Sequence, residues 1–300
     1  MSSPPTDDAA TRVDESEETY CYGHPKTPTR LRCSRCDRPI CGRCAIPASV
    51  GQHCPECVAE ARRSSPRVKR VNTSAAPAVY AILGINLVVF VLQLASGGPG
   101  GPNDELLARF AGSPPAIALG EWYRLLTPMF LHLSVAHIAL NSMALYFIGP
   151  PVEQAFGTAR FVVMYVIGGF TGSVASYVFG SCGGGAGASG AIFGIMGVLL
   201  VYTAQRRSNA MMNAFFGNIL FWLGLNLVFG LVAPNIDIWA HLGGLVGGML
   251  LALGFDRGAV LRPAGVQVAT ALGVVGLGIV LVVLRTSDLL ANGCDGFFFS

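Results

Sequence analysis

Residues 187–204 have the sequence GASGAIFGIMGVLLVYTA, an apolar stretch that contains Ser189 and no charged residue. Its length is close to the ~20 residues that a helix needs to cross the hydrocarbon core of a bilayer. A hydroxyl group at membrane depth is costly unless it pairs with another polar group or with water. The stretch therefore predicts a membrane helix that begins at a polar site.

The composition of the chain is that of a membrane protein. Of its 300 residues, 52% are hydrophobic and 12% are charged, whereas soluble domains carry about 25% charged residues. Its 38 glycines suit closely packed membrane helices. Apolar spans are predicted at residues 78–95, 133–149, 160–180, 189–204, 213–232, 238–254 and 265–284. The expected fold is an all-α membrane protein, a polytopic helical bundle with a small N-terminal domain.

The charges of the predicted loops orient the spans. Counted on alternate sides of the bundle, one side holds the basic run from Arg62 to Arg70 and most of the other loop arginines. Basic loop residues favour the cytoplasmic side. We therefore expect the N-terminus in the cytoplasm and the C-terminus outside.

Two other spans carry polar residues that suit catalysis. His241 lies in Ala240-His241-Leu242-Gly243-Gly244, and a serine with a histidine base is the minimal set for nucleophilic catalysis. His137 and Asn141 share a helix face and can both donate to a developing oxyanion. His132, nearer the loop, is compatible with a purely structural role. The same residues also fit helix packing or, for the histidines, the proton or metal path of a transporter.

Ligand pairs with a common spacing of two intervening residues mark a small metal-binding domain. They are Cys21 and His24, Cys33 and Cys36, Cys41 and Cys44, and Cys54 and Cys57. This spacing is typical of tetrahedral zinc, and eight ligands suffice for two closed, structural sites. A disulfide domain is disfavoured on the reducing cytoplasmic side. His53 is an alternative ligand to Cys54, and Cys182 and Cys294 receive no assigned role.

The three polar motifs together resemble the rhomboid family of intramembrane serine proteases. They are Gly-x-Ser-Gly at Ser189, Ala-His-x-Gly-Gly at His241 and His-x4-His-x3-Asn from His132 to Asn141. Residues 121–128 resemble the family's Trp-Arg region, and residues 235–237 resemble its sequence before span six. The resemblance covers residues 78–255 and implies a six-span rhomboid core. The predicted span at 265–284 lies beyond that core and is a C-terminal addition to it.

The resemblance also implies residue roles. Ser189 is expected as the nucleophile and His241 as its general base, in a dyad without an acid. His137, Asn141 and the backbone N–H of Ser189 are expected to form the oxyanion hole, with Phe193 beneath His241. Trp122 and Arg124 are expected to stabilise the first loop, although Tyr123 separates them here. Asp237 is expected to serve the start of its helix rather than a triad.

The implied reaction is peptide-bond hydrolysis without a catalytic cofactor, in the plasma membrane of a bacterium. The expected substrates are single-pass transmembrane proteins whose helix unwinds near the outer leaflet. Two alternatives stay open, which are an inactive rhomboid-like binding or chaperone protein and a His-lined transporter.

The ligand pairs resemble those of B-box and RING-like fingers, in which pairs one and three share one ion and pairs two and four the other. Sequential pairing is the alternative. The expected domains are a disordered tail (1–20), a double-zinc finger (21–60), a basic linker (61–77), the rhomboid core (78–255), a seventh span (256–285) and a C-terminal tail (286–300). We expect a protein partner for the finger, anionic lipid rather than nucleic acid for the linker, and two structural zinc ions.

Overall fold

The computed structural model describes residues 19–64, 76–99, 104–208, 210–232, 236–258 and 260–293. The chain divides into two compact units, Met1–Val71 and Asn72–Ser300. Nearly all of the predicted N-terminal tail, most of the basic linker and the residues from Cys294 onward lie outside the described residues.

The N-terminal unit is built on short strands and one helix. Antiparallel pairs are formed by β1 (Tyr20–Cys21) with β2 (His24–Pro28) and by β3 (Ile46–Pro47) with β4 (Gln52–His53), and α1 (Pro55–Ser64) follows. Strands of this length bury little apolar surface. The interior is accordingly made of Ile40 and the buried cysteines Cys21, Cys33, Cys41, Cys44, Cys54 and Cys57.

Long apolar helices dominate the second unit. Its elements are α2 (Pro77–Ala95), α3 (Glu105–Phe110), α4 (Pro114–Ala118), α5 (Val135–Phe156), α6 (Thr158–Phe179), α7 (Ser189–Ala204), α8 (Ala210–Val232), α9 (Ile238–Phe255), a hairpin of β5 (Asp256–Arg257) and β6 (Val260–Leu261), and α10 (Ala264–Asn292). Six of the described helices are long and apolar enough to cross a membrane, and α7 is a shorter apolar helix.

Two helices extend further than the hydropathy predicts. The second predicted span stops at residue 149, whereas α5 continues through Pro150 and Pro151 to Phe156. The predicted seventh span stops at residue 284 or 285, whereas α10 continues to Asn292. Polar residues make both ends look like loops, but those of α10 have partners, such as the hydroxyl groups of Thr286 and Tyr177, which lie 2.8 Å apart.

Helix α7 lies at the centre of the bundle, where α6, α7 and α9 pack against one another. The three helices touch through their backbones at glycines. A Cβ on Gly194 would lie 2.8 Å from the Cα of Gly168, and a Cβ on Gly244 would lie 2.0 Å from the carbonyl oxygen of Gly190. By contrast, α8 and α10 lie at the periphery, since 17% of their spanning windows is buried against 50% for α6 and α9.

One end of the bundle collects the polar motifs. Helices α5, α7 and α9 begin there and α6 and α10 end there, and we call it the Ser189 end. Side-chain caps fix two of these starts, because Ser134 accepts a hydrogen bond from the backbone N–H of His137 (3.1 Å) and Asp237 accepts one from that of Ala240 (2.9 Å). Such caps satisfy N–H groups that have no partner within the helix.

The first loop, residues 96–134, is ordered by a buried arginine in its described part. It contains α3, α4 and two 3-10 turns, Trp122–Leu125 and Thr127–Phe130. Arg124 donates to the Glu121 carboxylate (2.6 Å) and to the backbone carbonyls of Ala108 (3.0 Å) and Ala111 (2.8 Å). These bonds tie α3 to the turn that contains Arg124.

The opposite end of the bundle is held by buried charges. Glu153 accepts the backbone N–H groups of Ala78 (3.0 Å) and Val79 (2.9 Å), which otherwise lack partners at the start of α2. Arg206 makes two hydrogen bonds to the buried Asp256 carboxylate, at 2.6 and 3.1 Å. Both contacts join segments that are distant in sequence: the first ties α5 to the start of α2, and the second ties the turn after α7 to β5.

Candidate active site and metal centres

Ser189 is the first residue of α7, and its side chain is half-buried. Gly187, two residues earlier, has a φ of +140°, a backbone conformation that favours glycine. A Cβ built on Gly187 would lie 2.8 Å from Nε2 of His137 and 3.7 Å from Oγ of Ser189. The serine hydroxyl and the His137 ring therefore border the same glycine.

His241 lies in the first turn of α9, on the helix that packs against α7. Its ring stacks on that of Phe193, with centroids 4.2 Å apart and planes 6° from parallel. His241 is largely buried, and its Nδ1 has no hydrogen-bond partner among the described residues. The stacking fixes the plane of the imidazole one turn from the start of α7, where Ser189 lies.

His137 presents a donor toward Gly187. Its Nδ1 accepts a long hydrogen bond from the backbone N–H of Leu133 (3.4 Å). In a neutral imidazole the other nitrogen then carries the proton. That nitrogen is Nε2, which lies 2.8 Å from a Cβ built on Gly187.

Asn141 lies one turn after His137 on α5. Its side chain is 7% exposed, and its amide nitrogen has no partner among the described residues. A buried amide donor without a partner is costly. Asn141 is thus available to donate to a group that enters the site.

His132 supports the site from the first loop. Its ring is fully buried and meets the ring of His137 edge-on, with centroids 5.3 Å apart. Gln93 holds its backbone, accepting from its N–H (3.0 Å) and donating to its carbonyl (3.2 Å). Burial and then the neighbouring His137 lower the pKa of His132 to about 4, so this ring is neutral at physiological pH.

Asp237 uses its carboxylate at the start of α9. One oxygen accepts from the backbone of Ala240 (2.9 Å), and the other accepts a short hydrogen bond from the hydroxyl of Ser176. Both oxygens thus have partners other than the His241 ring. This arrangement corresponds to helix capping, the role expected for Asp237 from the sequence.

In the Trp-Arg region the structure confirms the contacts expected of Arg124 but not those expected of Trp122. Arg124 orders the first loop, but Trp122 is 63% exposed. Tyr123, rather than Trp122, makes a hydrogen bond within the loop: its hydroxyl donates to the Glu121 carboxylate (2.7 Å), which also accepts from Arg124. This bond and the Arg124 guanidinium lower the pKa of the Glu121 carboxyl below its usual value.

The eight ligand candidates of the N-terminal unit come together as two quartets. Cys21, His24, Cys41 and Cys44 form one and Cys33, Cys36, Cys54 and Cys57 the other, with the ligand atoms of each quartet within 4.8 Å of one another. Tetrahedral Zn–S bonds of about 2.3 Å place sulfurs roughly 3.8 Å apart. The observed Sγ atoms of Cys36 and Cys54 are 3.7 Å apart. Both quartets therefore fit a closed tetrahedral metal site and follow the cross-braced pairing.

Backbone N–H groups donate hydrogen bonds to thiols of the second quartet and favour the thiolate form, which is the form that binds a metal. The N–H of Cys54 donates to Sγ of Cys33 (3.2 Å), and the N–H of Cys57 donates to Sγ of Cys54 (3.4 Å). Burial raises the pKa of the Cys33 thiol, but the backbone donors of Cys54 and Arg35 lower it by more, to about 6. His53 belongs to neither quartet.

The comparisons with known proteins point to one family. A model of the Rhomboid domain matches residues 119–257. The chain is 40% identical over 201 residues to Rhomboid protease GluP of Bacillus subtilis (strain 168), which covers 65% of this chain and 39% of GluP. It is 36% identical over 137 residues to a second protein of the same organism, whose name is Putative rhomboid protease YdcA. This match covers 45% of this chain and 68% of YdcA. The chain belongs to the rhomboid family. Another relative is RHOMBOID-like protein 1 of Arabidopsis thaliana, at 39% identity over 147 residues, covering 48% of this chain and 36% of that protein.

Membership in the rhomboid family and the apolar helices identify the chain as an integral membrane protein. The matched stretch spans less than half the length of GluP and of RHOMBOID-like protein 1. The Rhomboid domain match includes Ser189, His241, His137 and Asn141 and ends before α10. The metal-binding quartets lie outside it.

Several supporting residues have no signal in the sequence. Gln93, Asp104 and Glu153 are all buried, and Gln93 donates to the Asp104 carboxylate (2.9 Å). Each makes contacts to backbone groups or side chains far along the chain. A single glutamine, aspartate or glutamate at the end of an apolar span also suits an interfacial position, so the sequence alone does not separate the two.

Proposed function

We propose that this rhomboid is an active intramembrane serine endopeptidase in which Ser189 is the nucleophile and His241 the general base. One observation carries the proposal, which is that the Ser189 hydroxyl and the Nε2 donor of His137 border the same glycine. A nucleophile and an oxyanion donor must both lie near one substrate carbonyl.

In the proposed reaction, Ser189 Oγ attacks the carbonyl carbon of the scissile bond while His241 takes its proton. The stacked Phe193 ring keeps the imidazole in one plane for this transfer. His241 then gives the proton to the leaving amine, the C–N bond breaks, and an acyl-enzyme remains on Ser189. Water, deprotonated by His241, attacks the ester carbonyl carbon, the C–O bond to Ser189 breaks, and His241 returns the proton to Ser189 Oγ as the carboxylic acid product leaves.

The developing oxyanion is proposed to receive hydrogen bonds from His137, Asn141 and the backbone N–H of Ser189. Nε2 of His137 carries a proton because Nδ1 accepts from Leu133, and the amide nitrogen of Asn141 has no partner among the described residues. Donors that are fixed before the reaction stabilise the transition state without reorganising. No cofactor is needed for these steps.

The proposed substrates are single-pass transmembrane proteins, reached from the lipid bilayer. A peptide bond in a spanning helix is shielded by its own hydrogen bonds, so the substrate helix must unwind to present an extended backbone. Segments with helix-weakening residues are therefore favoured substrates. The proposed location is the plasma membrane of a bacterium, with the N-terminus in the cytoplasm and the C-terminus outside.

The two quartets of the N-terminal unit are proposed to bind one structural zinc ion each. Three thiolates with one imidazole, and four thiolates, are zinc ligand sets, and neither leaves a position for a catalytic water. Zinc would there fix the loops between the short strands. We assign residues 21–60 to this finger, 61–77 to a basic linker and 78–255 to the protease core. The proposed partner of the finger is a protein.

Labelling with a fluorophosphonate probe tests the catalytic proposal on the detergent-purified protein. Wild type should be labelled covalently, and Ser189→Ala and His241→Ala should abolish labelling. Ser173→Ala, a half-buried serine on α6, is the matched control and should label normally. His137→Ala and Asn141→Ala should slow labelling by about 10²–10³-fold each, the usual effect of losing one oxyanion donor.

Two results would contradict the assignment. Labelling that persists in Ser189→Ala would place the nucleophile elsewhere. A well-folded wild type that is never labelled would favour an inactive binding protein or a histidine-lined transporter.

A further inference from the structure

The last turns of α10 are buried, although this helix otherwise lies at the edge of the bundle. Val282, Arg285 and Leu289 lie on one face and are 4–8% exposed, whereas the adjacent Leu284 and Leu290 are 61% and 64% exposed. The spacing of three and four residues is that of one helix face. The buried face therefore contacts protein, and the opposite face is open to lipid.

That face packs on the first loop. Val282 and Leu289 share a hydrophobic cluster with Ile117 of α4, with Leu125 of the first 3-10 turn and with residues at the end of α6. Cys182, in the segment between α6 and Ser189, packs against the same cluster and is disulfide-bonded. The end of α10 thus packs on α4 of the first loop and shares one hydrophobic cluster with the segment before Ser189.

Polar contacts fix the same turns of α10. The hydroxyl groups of Thr286 and Tyr177 of α6 lie 2.8 Å apart. Arg285, with its side chain 4% exposed, forms an ion pair with Asp288. A buried charged side chain within a membrane helix is costly, so such residues are rare and usually functional. The Thr286–Tyr177 contact ties these turns of α10 to α6, whereas the Arg285–Asp288 pair lies within α10 and neutralises its buried charge.

The first loop in turn sets the backbone that leads to Ser189. Gly112 and Gly185 exchange two backbone hydrogen bonds, of 2.8 and 3.1 Å. Gly187 donates its N–H to the carbonyl of Pro128 (2.9 Å). A shift of the first loop would therefore move Gly187, and with it the gap between Ser189 and His137.

We propose that the end of α10 is a positioning element of the active site, in which Leu289 and Val282 hold the first loop against the segment before Ser189. The proposal rests on the proposed protease function for its catalytic consequence, but not for its structural one. It assigns the seventh span, which lies beyond the Rhomboid domain match, an indirect part in the geometry of the site. Leu289 acts through the first loop and touches no reacting atom.

Backbone amide hydrogen exchange of the full chain in detergent tests this role without any catalytic readout. Leu289→Ala should raise exchange in residues 105–130 and 181–188, because the Gly112–Gly185 and Gly187–Pro128 bonds open more often. The same variant should lower the rate of fluorophosphonate labelling of Ser189 by about tenfold, since a small misplacement of catalytic groups is already costly. Leu290→Ala, the neighbouring lipid-facing residue, should change neither quantity.

A second control separates positioning from general stability. Gln267 joins the other end of α10 to Arg160 (2.7 Å) and to the carbonyl of Arg262 (2.6 Å). Gln267→Ala should lower the melting temperature without raising exchange in residues 181–188. Leu289→Val is a milder truncation for the case in which Leu289→Ala does not fold.

The proposal is overturned if the Leu289 variants exchange and label like Leu290→Ala, or if Gln267→Ala has the same effect as Leu289→Ala. If wild type is never labelled, the protease proposal fails while the exchange measurement still decides the role of α10.

Discussion

At the scale of single residues, the candidate site depends on Gly187 more than on any charged group. Its φ of +140° and its distance from the His137 ring leave no room for a side chain. The same residue donates its N–H to Pro128, which links it to the first loop. One backbone position thus sets the spacing between a hydroxyl group and a hydrogen-bond donor.

We predict that Gly187→Ala abolishes labelling of Ser189, with a loss of at least about 100-fold, because a shift of about 1 Å between catalytic groups has this effect. The new Cβ would lie 2.7 Å from Cε1 of His137 on a strained backbone. Gly183→Ala is the control in the same segment, since a Cβ there meets only the Ser181 hydroxyl at 3.5 Å. Equal labelling of both variants and wild type would refute this account of the site.

We also predict that His132 makes the stability of the protein depend on pH. Its folded pKa of about 4 lies below the ordinary value of 6.5, so the unfolded state takes up the proton first. The stability that the neutral His132 ring contributes is therefore fully present above pH 6.5. The free energy of unfolding falls by up to about 1.4 kcal/mol per pH unit as the pH drops toward 4.

Chemical denaturation in detergent between pH 7.5 and 4.5 measures this effect. The His132→Gln variant lacks the titrating ring, so its stability should vary less with pH than that of wild type. Parallel pH profiles for the two proteins would show that His132 does not carry the proton linkage.

At the scale of helices, the bundle is held by glycine contacts. Gly190, Gly194, Gly244 and Gly248 let α7 and α9 meet at backbone distance, and this approach brings His241 to the start of α7. Small residues at helix interfaces serve this purpose in membranes, where lipid provides no hydrophobic drive for association.

Gly244→Ala should therefore lower the melting temperature sharply. The added Cβ would lie 2.0 Å from the carbonyl oxygen of Gly190, and overpacking commonly destabilises by about 1–3 kcal/mol. The matched control is Gly276→Ala on α10, where a Cβ has nothing within 4 Å and helix propensity favours alanine. A melting temperature for Gly244→Ala at or above that of Gly276→Ala would contradict the packing argument.

The helices were predictable from the sequence because the spans are long and almost free of charge. Their ends were less so, since Glu153 and Asp288 resemble loop residues until the fold provides partners for them. The motifs and their resemblance to the rhomboid family named Ser189, His241, His137 and Asn141, whose catalytic roles stay predictions. The supporting contacts of Gln93 to His132 and of Arg124 to α3 join segments distant in sequence, and no local pattern reveals such contacts.

At the scale of the whole molecule, the chain combines a rhomboid bundle with a second compact unit of a different kind. The first is stabilised by apolar helices that pack through their backbones. The second has little apolar interior beyond Ile40 and its cysteines, and units of this size usually need metal or disulfide links. Its seven cysteines form no disulfide with one another, so the metal ions proposed for the two quartets would supply this stability.

The purified full-length protein should accordingly contain two zinc ions per chain, as measured by elemental analysis and native mass spectrometry. Cys33→Ser removes a ligand from one quartet only and should leave about one ion, because a structural zinc site needs all four ligands. His53→Ala is the control, since His53 is close in sequence to Cys54 yet outside both quartets, and it should keep both ions. Loss of zinc from His53→Ala, or loss of both ions from Cys33→Ser, would contradict two independent cross-braced sites. Since thiolate ligands must stay deprotonated, both ions should also be released on acidification.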